Sequence, residues 1–225
     1  MARADADTQA STPRERYRAQ VREEIKERAR EQIATAGASA LSLNAIAKQL
    51  GMSGPALYRY FAGRDELITA LVRDAYRSLA DTLGAAAAAG PDPARLAHAL
   101  RDWALSDPHR YFLVYGTPIP GYHAPEDTTA IADEVMTVLL DACTTLDADR
   151  PATPFGTHLQ EHRTWAEGHP APPAALHRAL AFWTRLHGVL SLELAGHFTG
   201  MGFDPARYFA AELESLTAPL SEPPA

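Results

Sequence analysis

The chain has 225 residues, 46% of them hydrophobic, enough for one large core or two modest ones, and a single cysteine, Cys143, which excludes an intrachain disulfide and suits a reducing cytoplasm. No apolar run is long enough to cross a bilayer, and the charged start MARADADTQASTPRERYR does not read as a secretory leader. The net charge of −7 hides a split: residues 1–64 hold 11 Lys/Arg against 7 Asp/Glu, a net of +4, and the remainder holds 10 against 21, a net of −11.

Val, Ile and Thr rarely alternate with polar residues, whereas Ala and Leu recur at helical spacing throughout, so the fold class reads as all-α. Residues 1–12 read as a disordered arm. A first helix from 13 to about 35 follows, with Tyr17, Val21, Ile25, Ala29 and Ile33 stepping by four into one apolar stripe and Gly37 ending it. Ser42 is placed to N-cap a short second helix that turns Leu43, Ile46, Ala47 and Leu50 inward, and Gly51 stops it. Ser53 is placed to cap a third, with Pro55 tolerated in its first turn. A fourth runs from about 64 to 83, with Asp65 and Glu66 at its positive end and Leu67, Leu71, Ala75 and Leu79 inside. The run AAAAAGPDP (85–93) reads as a linker. Further helices are expected over about 93–106, 108–115, 128–146, 155–168, 174–199 and 204–217, interrupted by the Pro/Gly loop 116–127 and by HPAPP at 169–173.

Two short helices joined by a glycine turn and braced by a longer one describe a helix-turn-helix. In GMSGPALYRYF (51–61), Leu57 and Phe61 lie four apart and anchor the third helix, while Tyr58, Arg59 and Tyr60 point away from it. A helix this short has little stability of its own. Outward residues of this kind suit the major groove, where they reach base edges and phosphates, and small Gly54 and Ala56 permit close approach. The plainer reading is a helical hairpin whose tyrosines cap a core. A local basic face governs phosphate contact more than the total charge does, so the acidic total does not oppose nucleic acid.

LSLNAIAKQLGMSGPALYRYFAGRDELITAL (41–71) resembles the DNA-binding segment of the TetR family of bacterial repressors, and the match extends over roughly residues 14–80. HRYFLVYGTPIPGYHAPED and FWTRLHGVL resemble, more loosely, a subgroup with a Trp…His-Gly signature in its C-terminal domain. The resemblance implies a helix-turn-helix domain over 13–64 and a ligand-binding and dimerisation domain over 65–225, joined by the helix at about 64–83. It makes Ser42, Ser53, Tyr58, Tyr60 and Arg64 phosphate or groove contacts, Arg64 standing where the family usually has lysine. Asn44 replaces a residue that is often basic, and Gly54 one that often reads a base. Specificity is therefore expected to rest on Asn44, Tyr58, Arg59 and the Ala56 methyl, beside Pro55 and Gly54. Arg14, Arg16 and Arg18 are expected to reach phosphates or the minor groove from a flexible arm, or else to form a solvated helix start.

In the body, Leu176, Leu180, Trp183, His187, Leu190, Leu194 and His197 alternate steps of four and three, and Ala179, Phe182, Leu186 and Val189 form a second stripe. A helix apolar on two sides must bury both. The family resemblance implies a four-helix bundle between subunits, so Leu176, Leu180, Leu190 and Leu194, with Phe209, Leu213 and Leu216 of the last helix, are the expected homodimer interface. It also implies a ligand cavity among the helices, for which Trp103, Tyr111, Tyr115, Met136, His158, His162, Trp165, Trp183 and His187 are the candidates; the plainer reading makes most of them core.

HLQEH (158–162) matches the H-x-x-E-H pattern of an inverted zinc protease, with Glu161 as general base. Five residues match easily in a chain with nine histidines, and no third ligand is indicated. The reading is therefore a cytoplasmic, homodimeric, ligand-responsive transcriptional regulator, a repressor by family tendency. It binds a palindromic double-stranded operator and needs no cofactor, metal or catalytic residue. A metal-responsive regulator using His158 and His162 and, remotely, a zinc hydrolase are the alternatives.

Overall fold

The computed structural model describes residues 12–116, 118–119, 121–123, 125–147, 153–166 and 168–218; apart from Thr12, the expected arm lies outside them. Among these residues the chain is all-helical, with ten α-helices and two 3-10 turns. It divides into two compact units. The head comprises residues up to Leu71 with 119–122, and the body comprises Val72–Pro118 with the chain from His123 onward.

The head is built on α1 (Pro13–Ala36), α2 (Leu43–Gln49), α3 (Gly54–Leu57) and the first turns of α4 (Arg64–Ala87). Thr12 opens α1 through a capping box with Glu15, each accepting from the other's backbone N–H, and this holds the Glu15 carboxyl below its usual range. Arg14, Arg16 and Arg18 thus stand on ordered helix rather than on an arm. Val21, Ile25, Ala29 and Ile33 are buried, but Tyr17, the first of the expected stripe, is exposed, one turn beyond the reach of the core. Gly37, at φ 79°, ends α1 by returning its N–H to the Ile33 carbonyl. Leu41, Leu43, Ile46, Leu57, Phe61, Leu67 and Ile68 complete a small core.

In the body, α4 continues to Ala87, past the expected end at 83, because the alanine run is strong helix former; Gly90 at φ 114° follows it. Helices α5 (Pro93–Ser106) and α6 (Pro108–Tyr115) coincide with expectation, each opened by an aspartate, Asp92 or Asp107, whose carboxylate accepts from the first turn. Next come α7 (Glu126–Asp147), α8 (Pro154–Glu161), α9 (Pro173–Leu194) and α10 (Pro205–Thr217). The single helix expected over 155–168 breaks at His162, and a 3-10 turn over Thr164–Ala166 replaces its second half. The end of α9 is also earlier than the expected 199. Gly196, at φ 77°, bonds back to the Glu193 carbonyl and His197 to that of Leu192, a paired motif that closes the helix and leaves His197 outside it.

The two apolar sides of α9 both find neighbours in their own chain, α7 and α8 as well as α10. Leu176, Leu190, Phe209, Leu213 and Leu216, expected at a dimer interface, are therefore buried in the body's core, with Leu180 and Leu194 partly buried against it. The five buried residues are packing residues within one chain.

Candidate nucleic-acid interface and effector cluster

Helix α3 has four residues, so most of its backbone groups have no partner inside it. At its start, Ser53 takes the capping position without a side-chain bond, leaving its exposed hydroxyl uncommitted to the cap it was expected to make. At its end, α1 supplies what the helix lacks. Arg18 Nη2 donates to the Arg59 carbonyl at 3.0 Å, and Arg22 donates to the Tyr60 carbonyl. The Arg22 guanidinium also lies 4.0 Å from the centre of the Phe61 ring, and 3.7 Å from Glu66. Glu66 in turn accepts from the Ala62 N–H at 2.6 Å. Sequence reading missed this clamp, because Arg22 and Glu66 look like ordinary solvated charges; their only signal is that Arg18 and Arg22 share one face of α1.

The clamp leaves Tyr58 and Arg59 exposed and Tyr60 half-buried, while Leu57 and Phe61 are sealed in the core. The Ser42 hydroxyl caps α2 by accepting from the Ala45 N–H at 3.4 Å, and its own N–H donates to Gln32 at 3.0 Å. Asn44 follows on the exposed first turn of α2, beside the start of α3. A Cβ added at Gly54 would stand 3.6 Å from the Asn44 Oδ1, in ordinary contact. Pro55 is exposed and Ala56 half-buried. Arg64 behaves differently from the others: its guanidinium donates to the Ala38 carbonyl at 2.9 Å and tethers the turn after α1.

The nine candidate ligand residues fall into separate places. Tyr111, Tyr115, Trp183 and His187 come together. The His187 ring centre is 4.1 Å from that of Trp183, 4.3 Å from Tyr115 and 5.7 Å from Tyr111, and Tyr76 meets Tyr115 edge-on at 6.2 Å. The Tyr111 hydroxyl is held by His187 Nδ1 at 3.0 Å, the His187 carbonyl at 3.2 Å and Ser191 Oγ at 2.8 Å. Two polar atoms here are buried without a hydrogen-bond partner among the described residues, the Tyr115 hydroxyl and His187 Nε2. Burial pulls the His187 pKa down to about 4 and pushes those of Tyr111 and Tyr115 up, so all three are neutral near pH 7. Tyr76 and Ser191 were not legible as members, because nothing in their spacing links them to α6.

Trp103 is committed elsewhere: its indole N–H donates to Ser78 at 3.0 Å, and Arg110 covers its ring at 4.5 Å. Met136 and Trp165 line a different, small cavity of about 120 Å³ with Asp133, Thr164 and His169. His158 and His162 are exposed at the end of α8, their rings stacked 4.2 Å apart, with His162 Nδ1 2.9 Å from the His158 carbonyl. No group of three or more metal-ligating side chains gathers among the described residues, and none of the described helices is long and apolar enough to cross a membrane.

Residues 25–71 match the family of bacterial regulatory proteins of the tetR type, and residues 94–216 match the tetracyclin repressor-like C-terminal domain. The HTH-type transcriptional regulators Rv1816 of Mycobacterium tuberculosis and Mb1846 of Mycobacterium bovis are each 37% identical over 221 residues, covering 91% of this chain and 94% of theirs. The crystal structure of SCO4313, a protein described as regulatory, is 70% identical, with a TM-score of 0.86 over 92% of this chain and 100% of that one. A protein of unknown function from Rhodococcus sp. RHA1, 21% identical with a TM-score of 0.64 over 94% of this chain and 97% of its own, shares the fold. With the braced helix-turn-helix in the head and both halves matched, the chain belongs to the TetR family and is a DNA-binding transcriptional regulator rather than an enzyme.

Proposed function

We propose that this regulator is a homodimeric repressor that leaves a palindromic operator when a small aromatic or apolar molecule enters the body. The observation that carries the ligand part is the cluster of Tyr111, Tyr115, Trp183 and His187, an apolar setting in which two buried polar atoms have no partner. Binding sites of this kind are mostly apolar with a few convergent polar groups. The domain division at 13–64 and 65–225 is part of the same reading, with α4 supplying residues to both units.

In the head, Arg59 and Asn44 are the base readers, with the Ala56 methyl against thymine. Ser42, Ser53, Tyr58 and Tyr60 contact phosphates, and Gly54 and Pro55 keep the approach close. A two-fold dimer presents its recognition segments about 34–36 Å apart, one turn of DNA. A ligand that shifts α4 alters that spacing, and a tenfold preference for the shifted form supplies about 1.4 kcal/mol of coupling. The dimer forms through the outward faces of α9 and α10, where Leu192 is 45% exposed and Tyr208 42%.

Binding of the effector and of operator must be mutually weakening by the same factor. Calorimetric titration of a thermal-shift hit, with and without operator, tests this; equal affinity in both titrations ends the effector reading. Light scattering tests assembly: a dimer that Leu192→Arg converts to folded monomer is expected, and a monomeric unmutated protein at micromolar concentration refutes it.

A further inference from the structure

The effector cluster is specific about what can fill it. His187 is a helix residue 8% exposed, its ring enclosed by Tyr111, Tyr115 and Trp183, and its Nδ1 is engaged by the Tyr111 hydroxyl that Ser191 also holds. The opposite ring nitrogen, Nε2, is buried and has no hydrogen-bond partner among the described residues. The Tyr115 hydroxyl, on a ring in contact with that imidazole, is in the same condition. An unmet buried polar group is destabilising, and two on touching rings make an unfavourable arrangement unless something binds there. Tyr115 and Trp183 are only partly buried, so the cluster is not sealed from solvent.

The partner's chemistry follows from what the two atoms can do. In neutral histidine one ring nitrogen donates and the other accepts, and a phenol does both. A hydroxyl, which also does both, satisfies either tautomer of His187 and still serves Tyr115. Carboxylates and ammonium groups would enter among neutral rings, which cannot replace their hydration with an opposite charge. The surrounding aromatic faces favour a flat, π-rich body.

We propose that the effector is an uncharged aromatic molecule bearing a hydroxyl group, which hydrogen-bonds His187 Nε2 and the Tyr115 hydroxyl while its ring packs against Trp183. Tyr111 and Ser191 are positioning residues that fix the imidazole. This rests on the effector reading above and adds the identity of the recognised group.

The test uses the full chain and matched frames: naphthalene, 2-naphthol and 2-naphthoate; biphenyl, 4-phenylphenol and 4-biphenylcarboxylate; indole and 5-hydroxyindole. Calorimetry is expected to show, in at least one frame, the hydroxylated member binding about tenfold tighter than its hydrocarbon, the worth of one hydrogen bond. Tyr115→Phe should shrink that preference, and so should His187→Phe. Tyr115→Phe should also leave the melting temperature unchanged or higher, since it deletes an unmet group, so lost folding cannot explain the result. Equal affinity for hydroxylated and bare members in every frame overturns the proposal. So does tighter binding of a carboxylate, a preference that survives both substitutions, or no binding by any probe. Operator affinity measured on the same samples separates the two readings. A hydroxyl-selective binder that leaves operator affinity unchanged supports this site and removes its effector role. A molecule that releases operator equally well from unmutated protein and Tyr115→Phe, without hydroxyl preference, supports an effector and removes this site.

Discussion

In the head, the four-residue α3 would leave the carbonyls of Arg59 and Tyr60 open, and Arg18 and Arg22 reach across from α1 to meet them. In the body, the Tyr115 hydroxyl and His187 Nε2 are buried with no hydrogen-bond partner among the described residues. Both regions handle a polar group that the local helix cannot satisfy, yet one resolves it internally and the other does not. A surface that reads DNA has to be rigid before its partner arrives, since any ordering left to the complex is subtracted from affinity. A cluster that responds to a small molecule benefits from leaving groups for it to satisfy, because the resulting gain is available only on binding. On the proposed function, the satisfied carbonyls of the head belong to its scaffold, and the two unmet atoms on Tyr115 and His187 belong to the place of response.

The largest expected effect separates core from outward face in the body. Phe209→Ala removes a fully buried ring and should lower stability by about 3–5 kcal/mol in urea unfolding. Leu192→Arg, on the exposed side of α9, should change the stability of the folded chain by no more than about 0.5 kcal/mol when measured on monomer. If both destabilise equally, the division of the α9 and α10 pair into a packed core and an outward side is wrong.

Acid should expose the cost of keeping His187 neutral. Its pKa falls from 6.5 to about 4 on folding, so the unfolded chain binds the proton first as pH drops. Stability contributed by the neutral ring is present above the unfolded value and is lost between about pH 6.5 and 4, by on the order of 3 kcal/mol. His187→Phe should flatten that part of the unfolding curve relative to the unmutated protein, while the carboxylate contributions common to both remain. A variant with the same slope over this interval would show that His187 is hydrated in the native state.

The clamp on α3 can be broken without touching a predicted DNA contact. Arg22→Ala removes the donor to the Tyr60 carbonyl and the cation over Phe61. Operator binding measured by anisotropy should weaken by about 1–2 kcal/mol, with the helical content retained in circular dichroism. Arg59→Ala, by contrast, should cost about 1–3 kcal/mol at the cognate site and relax base choice at one position. A loss confined to the cognate site in Arg22→Ala would make it a reader, not a brace.

These contrasts track what the sequence could disclose. The head was legible almost residue by residue, because its signals are local: Ser42 before an apolar pair, Gly51 in the turn, Leu57 and Phe61 four apart. The bracing of the short α3 was not, since the carbonyls just past its end are met by two arginines more than thirty residues away in the chain. In the body, periodicity correctly turned Leu176, Leu190 and Leu213 inward but could not say whose interior they enter, so they were read as a contact between subunits. Periodicity brought His187 and Trp183 onto one face of α9, and composition offered Tyr111 and Tyr115; only the tertiary packing joins them and leaves Met136, Trp165, His158 and His162 outside that cluster.

Arg64 gives the smallest expected effect and tests whether the head is rigid before DNA arrives. From sequence it stands at a phosphate-contacting position, and loss of a phosphate contact would reduce the salt slope of binding by about 1. In the folded head its guanidinium instead donates to the Ala38 carbonyl at 2.9 Å, with Asp65 at 3.8 Å. An arginine committed to a backbone carbonyl must give up that bond before it can neutralise a phosphate, and the exchange gains little because both partners are good acceptors. Arg64→Ala is therefore expected to lower the stability of the head by about 0.5–1.5 kcal/mol, by freeing the turn after α1, and to leave the dependence of operator affinity on salt almost unchanged. Parallel titrations across a series of salt concentrations decide it. A slope that drops by a full unit would mean that Arg64 leaves Ala38 when the operator binds, and that this corner of the head is completed by DNA rather than built before it.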